Sequence, residues 1–96
     1  MNYTNPSCLI TKEEIQSINF SNNDVLNNKQ QKSVRSYCLT RAMQLGNLLK
    51  NKVDIYFKNN EDRLMRVQTT VWAVTTDAVI LKQGIRIPKN SIVSID

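Results

Sequence analysis

Lys29, Lys32 and Arg35, followed by Arg41, Lys50 and Lys52, stand in a stretch that contains no acid. Cations spaced in this way can hold phosphates. Each phosphate neutralised releases a counterion, so such binding is strong at low salt and falls steeply as salt rises. On a helix, Lys29, Lys32 and Lys50 fall opposite the apolar stripe and Arg35 sits at its edge. Tyr56 alternates away from Val53, Ile55 and Phe57, so it is the aromatic placed to stack a base beside them. Lys29, Lys32, Arg35, Lys50, Lys52 and Tyr56 thus form a candidate anion- or nucleic-acid-binding set. The competing reading is a plain solvated helix exterior.

Arg41 has a different placement. By helical spacing it falls between Val34 and Leu48, inside the apolar arc. Its stem can lie along the core with the guanidinium in water. Alternatively it pairs with Asp54 or Asp77 and fixes how the helix docks, or it meets an anionic ligand.

Little else in the chain could do chemistry. There is no histidine, so the usual proton carrier near neutral pH is missing. The eight carboxylates scatter over turns and caps, and Gly46 and Gly84 alone cannot form a phosphate loop. Cys38 has no histidine to activate it, and Cys8 and Cys38 are too few for a disulfide framework or a zinc site. No enzyme activity, cofactor or metal is expected. The longest apolar run, Ala78 to Leu81, is far too short to span a membrane. No basic region leads into an apolar block near Met1, so the expected compartment is the cytoplasm and the sequons at Asn2 and Asn19 are expected to be idle.

The elements that position these residues follow from periodicity. With 96 residues the chain is expected to be one domain: a loose segment over 1–10, a helical part over 11–49 and a β part over 52–96. Thr11 and Glu14 fit a capping box opening a short helix that turns Ile15 and Ile18 inward. A longer amphipathic helix begins between Asn23 and Lys29, with Val34, Tyr37, Cys38, Leu45, Leu48 and Leu49 on its inner face. From Lys52 the period becomes two. "KVDIYFK" puts Val53, Ile55 and Phe57 on one side. In "RLMRVQTTVWAVT" the parity changes, which asks for a bulge or bend near Thr69 and Thr70. "AVILK", a turn at Gln83-Gly84, "IRIP", one turn at "KNS", and "IVSI" complete the pattern. Trp72, among Val71, Ala73 and Val74, is expected in the core. So short a sheet cannot cover an apolar face while flat, so the expected fold is α+β: the two helices, then a five-stranded, strongly bent antiparallel small barrel capped by the long helix.

"LGNLLKNKVDIYF", "TTVWAVT" and "VILKQGIRIPKNSIVSI", read together, resemble SH3-like small barrels and specifically Sm-like domains. The chain also looks like a group of short uncharacterised bacterial proteins with a similar C-terminal pattern. The resemblance implies a small barrel able to self-assemble. Sm-like domains hold bases with an Asp in the second-strand region and an Asn or Gly pair after later strands; this sequence departs from that arrangement. The expected function is therefore a non-enzymatic binding module. It acts in protein–protein contact or self-assembly through barrel edge strands, "KVDIYFK" or "NSIVSID". The alternative is a nucleic-acid-binding accessory protein using the basic 29–52 segment.

Overall fold

The computed structural model describes residues 8–49 and 52–96, and the side chains of Cys8 and residues 47–49 lie outside the description. Among the described residues the chain forms β1 (Cys8–Ile10), a 3-10 turn (Lys12–Ser17), α1 (Lys29–Leu49), β2 (Val53–Lys58), β3 (Leu64–Thr69), β4 (Val71–Val74), β5 (Ala78–Leu81), β6 (Arg86–Pro88) and β7 (Ile92–Ile95). Two further 3-10 turns lie at Lys82–Gly84 and Lys89–Ser91.

Local chemistry sets these boundaries. Thr11 and Glu14 make the capping box expected of them, yet the turn they open is 3-10 and only Ile15 is fully buried from it. Asn28 starts α1: its side-chain oxygen accepts from the backbone N–H groups of Gln30 and Gln31 at 2.7 and 3.3 Å. Asn59 organises the β2–β3 hairpin by accepting from the N–H groups of Glu61 and Arg63. Gln83 and Gly84 both adopt positive φ in the β5–β6 turn, where the missing Cβ of Gly84 removes the steric cost.

The strands make two sheets, β1-β3-β2-β7 and β4-β5-β6. β1 runs parallel to β3 and the other pairings are antiparallel. β3 and β4 are one bent strand: at Thr70 the chain leaves the first sheet and enters the second. Between the sheets lie Ile55, Phe57, Val67, Val71, Val79, Leu81, Ile87 and Ile92, all nearly inaccessible to water, with Leu39 and Ala42 of the helix and Ile15 of the 3-10 turn. Phe20 tilts against Phe57 with ring centroids 5.9 Å apart.

The expected five-stranded closed barrel with two helices is not what forms. The described residues hold one long helix and two sheets, of four and three strands, that do not close into a barrel. The strand Cys8–Ile10 was not foreseen at all. β6 has three residues and bonds only to β5, and β7 bonds only to β2. Other elements cover the openings: α1 packs on β4 and β7, and the 3-10 turn on β3 and β6. Burial by a helix replaces closure by hydrogen bonds.

Trp72 also departs from expectation. It is 48% exposed, because the β4–β5 register skips a residue between Val71 and Ala73 and leaves Trp72 as the extra one. Trp72→Ala is therefore expected to change stability by no more than about 0.5–1 kcal/mol in urea denaturation, instead of the ~3–5 kcal/mol of a core aromatic. The emission of this single tryptophan should be red-shifted in the native state.

Candidate protein-binding groove

Helix α1 docks through Arg35, Leu39, Ala42 and Gly46, spaced four, three and four apart, with Met43 partly buried beside them. The apolar stripe read from the sequence lies round the cylinder from this face. Cys38 and Leu45 are half-buried, while Val34 and Tyr37 are 56% and 66% exposed. Close approach decides the rotation. A Cβ added at Gly46 would stand 2.5 Å from the main-chain oxygen of Val71, so a glycine, with the small Ala42 one turn before, lets the helix lie on β4.

At the other end of α1 the inward residue is a cation. Arg35 is 7% exposed and grips Asp24 with two nitrogens, at 2.9 and 2.8 Å. One of these nitrogens also donates to the carbonyl of Ile92 on β7 at 3.0 Å. Asp24 accepts in addition from the N–H of Leu26 at 2.8 Å. The hydrogen bonds from Arg35 are the main reason the Asp24 carboxyl is held below its ordinary value; burial opposes them, and Lys32 adds a smaller favourable field. The Nε of Arg35 is buried without a partner among the described residues.

Beside this clasp runs a groove of about 780 Å³ between the first half of α1 and β7. Leu26, Val34 and Cys38 form one wall, and Val93 and Ile95 the other. β7 is the outermost strand of its sheet. Asp96 and Asp54 exchange both backbone hydrogen bonds, at 3.0 and 2.9 Å, so by antiparallel alternation the N–H and C=O of Ile95 point away from β2, along the free edge. Nearer its start that edge is covered: Arg35 occupies the Ile92 carbonyl, and the N–H of Val25 bonds to the Asn90 carbonyl at 2.9 Å.

The residues singled out from the sequence do not gather. Lys29 is exposed and Lys32 half-buried, both at the start of α1 near the groove. Arg35 is committed to Asp24 and is not an available cation. Lys50 lies outside the described residues. Lys52 is exposed just before β2, past the far end of the 21-residue helix that Lys29 begins, a helix about 30 Å long. Tyr56 is half-buried on β2 between Arg66 and Ser94 and already engaged. The basic stretch is continuous in sequence but divided in space.

The arginine that ties the helix to the rest of the fold is Arg35, through Asp24 and the Ile92 carbonyl. Arg41 is exposed and has no ion pair among the described residues; Asp54 is half-buried in β2 and Asp77 exposed in the β4–β5 turn. "KVDIYFK" is not an edge, since β2 is paired on both sides; "NSIVSID" is. Among the described residues no helix is long and apolar enough to cross a membrane, and no group of three Cys, Asp or Glu could hold a metal ion. No protein-family model matches the chain, and neither does any curated protein or solved structure.

Proposed function

We propose that the chain is a non-enzymatic protein-interaction module whose α1–β7 groove receives an extended segment of a partner protein. The observation that carries this reading is an apolar groove lying along a strand edge that is unpaired among the described residues. A segment in extended conformation can bond to the free N–H and C=O of Ile95 while its alternate side chains enter between Val34, Cys38 and Val93. Lys29 and Lys32 at the helix start favour acidic residues flanking the apolar ones. A second copy of this chain is the less favoured occupant, because each copy carries a net charge of +5.

The test is selection from a displayed library of random extended peptides, followed by titration of the winners. Sequences with apolar residues at alternate positions and Asp or Glu beside them are expected. Val34→Glu should weaken them at least about tenfold while leaving circular dichroism unchanged, since Val34 is exposed. Peptides that bind Val34→Glu as well as the parent would rule the groove out. A dimer in light scattering that Val34→Glu dissolves would replace the partner segment with a second copy.

A further inference from the structure

We propose that the outer face of the β4-β5-β6 sheet binds single-stranded nucleic acid, with Trp72 as the stacking surface and Lys82, Arg86 and the neighbouring Lys52 as phosphate contacts. This site is separate from the α1–β7 groove and does not depend on it.

The sheet presents Trp72 deliberately. Val71 pairs with Leu81 and Ala73 with Ile80, so Trp72 is the residue in excess, and a bulge of this kind re-aims a side chain. The inner side is occupied by Val71, Val79, Leu81 and Ile87, all fully buried. Ala73, Ile80 and Arg86 form one row across the three strands, which sets Arg86 on the same face as Ile80. Arg86 is exposed. The exposed Lys82 stands beside the start of β4, its N–H donating to the Thr70 carbonyl at 3.1 Å. Lys52 precedes Val53, whose partner is Thr69, and so approaches the same end of the sheet. None of Lys52, Lys82 and Arg86 has an ion pair among the described residues. The carboxylate of this sheet, Asp77, sits in the turn at the opposite end; Asp54, two residues after Lys52, belongs to the other sheet and makes no ion pair with it among the described residues.

An exposed aromatic with unneutralised cations around it is the combination that single strands require. Bases stack on the ring whatever their identity, and the cations follow the backbone. A protein partner could use the tryptophan as an anchor, but it would leave three cations without a role. With three phosphates neutralised on a single strand, the slope of log K against log salt should be about −2.

Trp72 is the only tryptophan, so its own emission reports binding. The whole chain is titrated with oligo-dT and with oligo-U at about 50 and 200 mM salt, and with polyphosphate as a polyanion lacking bases. Both oligonucleotides should quench the emission and bind with the stated slope, while polyphosphate binds more weakly and does not quench. Tighter binding of oligo-U assigns the site to RNA, and tighter binding of oligo-dT to single-stranded DNA. Trp72→Leu, followed by anisotropy of a labelled oligonucleotide, should lose about tenfold in affinity. Lys82→Glu and Arg86→Glu should each weaken binding and flatten the salt dependence, and Val34→Glu should change nothing. The proposal falls if neither oligonucleotide binds at the lower salt. It falls equally if polyphosphate binds as tightly as they do, or if Trp72→Leu binds like the parent while retaining its circular dichroism.

Discussion

Alanine in place of Asp24 is expected to destabilise the protein by about 3–5 kcal/mol, because it strands the guanidinium of Arg35. That group is 7% exposed, and without Asp24 only the Ile92 carbonyl remains to it among its observed partners. The loss should appear in guanidinium denaturation as a lower midpoint at unchanged slope. A second replacement, Arg35→Met, made on the Asp24→Ala background, should recover much of the deficit, since an apolar chain of similar length asks for no counter-charge. If the double variant is as unstable as the single one, the penalty does not come from an unpaired charge.

The same pair sets an acid limit. Arg35 holds the Asp24 carboxyl below its ordinary value of 3.8, so at acid pH the unfolded chain takes up a proton more readily than the folded one. The contribution of the pair is complete above that ordinary value, and is lost as pH falls through it toward the lower folded value. Melting temperatures of the parent and Asp24→Asn should therefore differ most above about pH 5 and converge on acidification. A gap that is constant with pH would exclude Asp24 as the source.

Valine at position 46 is expected to cost about 3 kcal/mol, the upper end for overpacking, and alanine less in the same direction. Helix propensity alone argues the opposite, since alanine in a helix interior gains about 1 kcal/mol over glycine. Here the added carbon meets main-chain oxygen 2.5 Å away, and a backbone carbonyl cannot swing aside as a side chain can. The helix must lift from β4 and loosen Ala42 and Met43. A measured gain in stability for Gly46→Ala would show that α1 does not lie so close.

Much of the local structure was legible from composition and period. The length of "RLMRVQTTVWAVT" asked for a break near Thr69 and Thr70, where the strand does bend, but Val67, Thr69 and Val71 keep one parity across it and the inward set changes only at the Trp72 bulge. The Thr11/Glu14 spacing announced its capping box. What misled was the assumption that apolar residues mark the inner face of a helix. α1 docks through an arginine, a leucine, an alanine and a glycine, and it leaves Val34 and Tyr37 in water. Distance of approach and a buried ion pair set that rotation, and neither leaves a periodic trace. Asp24 lies eleven positions before Arg35, across a turn, and gave no sign that it would claim that cation. The groove was invisible for the same reason: it exists only because the helix is rotated and β7 is outermost. The closed barrel failed on coverage, since the short edge strands are covered by other elements instead of by each other: β7, of four residues, by the helix, and β6, of three, by the 3-10 turn.

The bend at Thr70 makes a single run of main chain a member of both sheets. Side chains alternate along it as far as the bulge at Trp72, so the count of residues between Thr69 and Val71 determines which residues at the start of β4 face inward. One residue inserted or deleted at that joint would reverse the parity at the start of β4, driving the indole into the interior and turning Val71 out to solvent. The hairpin tips at 59–62 and 75–77 can change length without such an inversion. This joint, more than any bulky side chain, is where the chain is least able to drift in length.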